Sequence, residues 1–107
     1  MARLIQRGDI RWYRFARPDK RRVVVILTRN SALEFLGEVT IAPVTSIIRD
    51  IPTEVVLTRN DGVPRACTVN LDHIQTVSRS KVGGLIATLC TERMLQIGTA
   101  LRFALDV

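Results

Sequence analysis

Two short stretches of this chain carry side chains suited to work on a phosphate group. In the first, Arg14, Arg17, Lys20, Arg21 and Arg22 crowd between two apolar segments, with Tyr13 and Phe15 alongside. Guanidinium groups grip phosphate oxygens through paired N–H donors, and an aromatic ring can stack on an unpaired base, a combination that suits single-stranded RNA. A solvated hairpin would carry the same charges, so position matters as much as charge. Arg22 stands apart because it leads directly into the branched run 23–27, which fixes its backbone and makes it a better-positioned group than its neighbours. In the second stretch, Thr45 and Ser46 follow Ala42-Pro43-Val44. Hydroxyls emerging from a strand end can donate to a phosphate, or simply close a turn.

Proton transfer is harder to place. Arginine stays protonated and makes a poor base. The candidates are Asp19, the nearest carboxylate in the basic loop, and His73, the sole histidine, imidazole being the side-chain type that titrates nearest neutral pH. One histidine rules out a two-histidine nuclease. Cys67 and Cys90 are far apart with no paired cysteine motif, so we expect no metal site and no cofactor, and two reduced cysteines in the core.

These groups need a scaffold, and 107 residues with 47% hydrophobic and 24% charged side chains suffice for a single domain, 1–107, with one modest core. Fourteen of the sixteen cations are arginine and the formal net charge is +6, which favours a polyanionic partner. The longest apolar runs are too short to span a bilayer, and no leader is evident, so a cytoplasmic protein is expected.

Alternation and branched-residue content predict strands over 10–15, 23–28, 38–44, 54–57, 67–71 and 74–77, separated by turn signals such as Asn60-Asp61-Gly62 and Gly83-Gly84. Many short strands at this spacing imply a barrel or a sandwich. One or two helical turns are expected over 31–35 and 78–82. Thr91 as N-cap, Glu92 in the first turn, and Met94, Ile97, Leu101 and Leu105 at helical spacing predict one closing amphipathic helix with this stripe against the sheet. Leu-Thr-Arg-Asn occurs at 27–30 and again at 57–60, but the flanking sequences disagree, so it marks strand-end chemistry and no repeat.

Arg7-Gly8-Asp9-Ile10, Arg22-Val23-Val24-Val25, Ala42-Pro43-Val44-Thr45-Ser46 and Asp72-His73-Ile74-Gln75-Thr76-Val77 resemble, in order, the blocks of MazF/PemK toxins. Residues 84–107 resemble that family's final strand and helix. The resemblance implies a mainly β fold, an SH3-like (CcdB/MazF-type) small barrel with a C-terminal α-helix, forming a homodimer. It further implies the toxin of a type II toxin–antitoxin system, a metal-independent endoribonuclease for single-stranded RNA, neutralised by a cognate MazE-like antitoxin with an acidic segment. In that reaction a ribose 2′-hydroxyl attacks the adjacent phosphate, leaving 2′,3′-cyclic phosphate and 5′-hydroxyl ends. Arg22 and Thr45 would be catalytic, with RNA contacts from Arg17, Lys20, Arg21, Ser46, Arg49, Asp72 and His73. The family's arginine is usually followed by proline, here Val23, and the loop before it is shorter than usual, so the RNA sequence cut does not carry over. Two other functions fit a basic barrel: nucleic-acid binding without cleavage, and gyrase inhibition by a CcdB-like toxin.

Overall fold

A computed structural model describes residues 4–16 and 21–107. Seven strands, β1 (Asp9–Arg14), β2 (Arg21–Ile26), β3 (Glu38–Thr45), β4 (Glu54–Leu57), β5 (Cys67–Asn70), β6 (Gln75–Ser78) and β7 (Val82–Thr88), alternate with a one-turn helix α1 (Asn30–Leu33) and end in α2 (Thr91–Leu105). Short 3-10 turns at Arg59–Asp61, Leu71–His73 and Arg79–Lys81 link the later strands.

Every strand pairing is antiparallel, and the sheet runs β4-β5-β3-β2-β1-β7, with β6 added to β3. This overturns the expected SH3-like barrel. Among the described residues no ladder joins β4 to β7, so the sheet stays open, and with its helix the chain is a mixed α/β fold. The physical reason lies in β3 and α2. One flank of β3 pairs with β2, while the other divides between β6, at Glu38–Ile41, and β5, at Val44–Thr45. Beyond β5, α2 packs on β4 and on the Leu71–His73 turn, covering that end with a helix where closure would need another strand.

Both faces of the central strands are buried. One cluster gathers Ile10, Val25, Ala42, Leu57, Val69 and Leu71 with Ile97 and Ala100 of α2. The other gathers Tyr13, Val24, Ile26, Val39 and Ile41 under Leu33 of α1. Because successive strand residues face opposite sides, a strand covered on both reads as an unbroken apolar run, which is what residues 23–27 show.

Most element expectations match in kind, with differences at the ends. The helix begins at Thr91 with Cys90 in the cap position, so Thr91 is the first helical residue rather than the cap. Ile97 is buried, and Met94 and Leu101 pack partly against the core, but Leu105 is 54% exposed. Cys67 is buried as expected; Cys90 is exposed, so the paired core placement fails for it. Strand β7 spans the double glycine that read as punctuation.

Polar ties hold the segments that flank the sheet. The Asp9 carboxylate, fully buried, takes the Arg11 Nε–H at 2.9 Å, the Gln6 N–H at 3.0 Å and the Thr88 hydroxyl at 3.2 Å, fastening β1 to β7. Asp61 accepts from the Thr58 N–H at 2.8 Å and from Arg93 Nε at 3.0 Å, fastening α2 to the β4–β5 turn. Gly62 ends that turn at φ +93°, and a Cβ there would lie 2.7 Å from that of Ala87, so backbone and space both call for glycine.

Candidate active site

The division of β3 creates an opening. The β6 ladder stops at Ile41 and the β5 ladder starts at Val44, leaving Ala42 and Pro43 on that flank between two partners. Proline has no N–H to give, so it is tolerated where a ladder lapses. The chain from Asn70 to Gln75 crosses from β5 to β6 around the gap. Two concavities of about 310 and 260 Å³ share Arg22, Pro43 and His73; the first adds Phe15 and Gln75, the second Thr45, Ile47, Arg49 and Asn70.

Arg22, Thr45, Arg49 and His73, drawn from three segments remote in sequence, therefore meet in one place. Arg22 enters from the start of β2, which is held between β1 and β3. The Thr45 hydroxyl accepts the Ile47 N–H at 3.2 Å. That bond uses one of the oxygen's two lone pairs and leaves its O–H to donate. Arg49 is steadied by Glu54, which takes its Nε–H and its backbone N–H, both at 3.0 Å. Its charge is thus partly offset, and Arg49 lines the second concavity. His73 closes the Leu71–His73 turn and is exposed.

Other expected residues lie elsewhere. Asp72 accepts the Thr53 hydroxyl at 2.6 Å and borders neither concavity, which gives it a holding role on that turn. Ser46 is exposed beside the opening without lining it. Arg21 borders a separate concavity with Trp12, Arg14 and Lys81, and its guanidinium carbon sits 4.3 Å from the Trp12 ring centroid. Arg17, Asp19 and Lys20 lie outside the described residues. Sequence reasoning passed over Asn70 and Ile47, and had Gln75 only within the block that resembles the family's. Asn70 did leave a signal, as an amide set between Val69 and Leu71 in the short strand stretch 67–71.

Among the described residues no three His, Cys, Asp or Glu side chains converge as a metal site, and no helix is long and apolar enough to cross a membrane. Burial pushes the Cys67 thiol up from its usual range, with the Asp61 charge adding to it, so this cysteine is a poor nucleophile.

Residues 6–105 match the family model described as "PemK-like, MazF-like toxin of type II toxin-antitoxin system". The chain is 38% identical over 107 residues to the probable endoribonuclease MazF5 of Mycobacterium tuberculosis, covering 99% of this chain and 97% of that protein. The solved Mycobacterium tuberculosis toxin MazF-mt6 superposes with a TM-score of 0.85 at 30% identity, over 92% of this chain and 97% of the other. A chain of a MazE–MazF crystal structure from Deinococcus radiodurans, at 22% identity, shares the fold with a TM-score of 0.83 over 99% of each chain. An ordered match across nearly the whole length, with the arginine and threonine brought to one opening, leads to a single conclusion: the chain belongs to the MazF/PemK family of toxins of type II toxin–antitoxin systems.

Proposed function

We propose that the protein is a metal-independent endoribonuclease that cuts single-stranded RNA at the opening beside β3. The observation that carries this reading is the convergence of Arg22, Thr45 and His73 on one cavity. The attacking group is the substrate's own 2′-hydroxyl; the bond it forms to phosphorus displaces the 5′-oxygen of the next nucleotide. Charge grows on the non-bridging oxygens as this happens. Arg22 supplies a fixed cation and Thr45 a fixed O–H donor to those oxygens, and a preorganised donor costs no rearrangement at the moment of reaction. His73 can take the 2′-hydroxyl proton and return one to the leaving oxygen, since imidazole does both near neutral pH. Phe15 offers a ring on which a neighbouring base can stack.

The family and the name of the relative MazF5 support the reaction class. The MazE–MazF and antitoxin-bound structures among its relatives support a cognate antitoxin as partner, and an acidic segment of it would suit the basic opening. A homodimer and a cytoplasmic setting complete the reading.

The test is to expose total RNA to the purified protein and sequence the cleavage ends. Cyclic phosphate and 5′-hydroxyl ends, formed equally in EDTA, are expected. A strict need for added magnesium, or RNA bound but left intact, would overturn the reading.

A further inference from the structure

Asn70 is 4% exposed and stands at the end of β5, on the wall of the cavity that holds Arg22 and Thr45. Its Oδ1 accepts the Asp72 N–H at 3.0 Å. That bond settles which end of the amide is oxygen, because a backbone N–H needs an acceptor. The other end, Nδ2, has no partner among the described residues. Yet none of these residues has a side-chain nitrogen or oxygen that is both fully buried and unpaired. Nδ2 must therefore reach a surface, and the surface Asn70 borders is this cavity.

The ladder places it well. Thr45 pairs with Thr68 and Val44 with Val69, so the next positions along are Pro43 and Asn70, and Asn70 lies diagonally across the strands from Thr45 on the same face. An amide that reads a base edge uses its oxygen and its NH2 together. Here the oxygen is committed to the backbone, leaving a donor only. A held, one-way donor next to a fixed arginine and a fixed hydroxyl suits an oxygen that gains negative charge.

We infer that Asn70 is a third donor to the scissile phosphate, its Nδ2–H bonding a non-bridging oxygen alongside Arg22 and Thr45. This rests on the ribonuclease reading above. It also assigns the buried amide two tasks: one end shapes the turn that carries His73, and the other acts on substrate.

Asn70→Asp separates the two, since a carboxylate still accepts the Asp72 N–H but cannot donate; Asn70→Ala removes both. Single-turnover cleavage of an RNA pool by wild type, Arg22→Ala and both Asn70 variants, with thermal unfolding in parallel, is the experiment. Both Asn70 variants should cut about a hundredfold more slowly, at unchanged sites, with Asn70→Asp unfolding near the wild-type temperature. Wild-type rates in Asn70→Asp, or retained rates with a changed site preference, would overturn the inference while leaving the ribonuclease reading intact. If wild type itself leaves RNA uncut, the reading fails and takes this inference with it.

Discussion

Arg21 and Arg22 are neighbours in sequence and open onto different sides of the β1–β2 hairpin. Arg21 lies against Trp12, with Arg14 opposite it in the ladder and Lys81 near by, in a concavity of about 380 Å³. Arg22 shares the smaller opening beside β3 with a hydroxyl, an imidazole and an amide. The first place has more positive charge and more room; the second has varied chemistry on a rigid frame. Charge and room alone would thus favour the Arg21 side as the candidate site. What distinguishes the Arg22 side is that groups of different chemistry converge on it from segments distant in the chain.

The contrast can be broken most directly by truncating each arginine. Arg22→Ala should slow RNA cleavage by roughly 10² to 10³, the usual cost of a lost preorganised donor, while Arg21→Ala keeps a near wild-type turnover. Equal losses in a single-turnover assay would erase the distinction. Thr45→Ala should cost about ten- to a hundredfold, the range for one hydrogen bond to a charged group, with the circular dichroism spectrum unchanged. A smaller effect sharpens the other side: Arg21→Ala should lower stability by about 0.5–1 kcal/mol through loss of the Trp12 contact, read by denaturant unfolding.

A control outside both regions concerns acid. Burial pushes the Asp61 carboxyl up, but hydrogen bonds from Arg93 and the Thr58 N–H outweigh it and hold the group below its usual range. A carboxylate lowered in this way stabilises the fold above its unfolded pKa, and that stability fades as pH falls through the folded one. Arg93→Ala should therefore lower the unfolding temperature at neutral pH and flatten its fall on acidification, with cleavage unaffected near neutrality.

Much of the fold could be read from the residues because burial leaves a pattern. The double-sided cover of β2 appears as the run 23–27, and the core stripe of α2 appears in Met94, Ile97 and Leu101. Leu105 falls off the stripe because Ala104, seven residues after Ile97, takes the packed position in that turn. Strand β7 was masked by Gly83 and Gly84, which continue an irregular ladder, Gly83 packed against Trp12, instead of turning the chain. Closure of the sheet could not be read, since it depends on which strands meet after seven have formed. At the site, Arg22 and Thr45 stood out by their strand-end settings. Asn70 and Ile47 did not, because their relevance arises only when β5 and the loop after β3 come together at the end of β3, across from Arg22.

The lapse in pairing at Ala42 and Pro43 has a mechanical consequence. A cleft between loops can breathe at little cost, but this one is framed by two ladders anchored on the same strand. Widening it means breaking backbone hydrogen bonds of β5 or β6. The aperture is thus a property of the main chain, and substitutions among the lining side chains can alter what the opening accepts without altering its gauge.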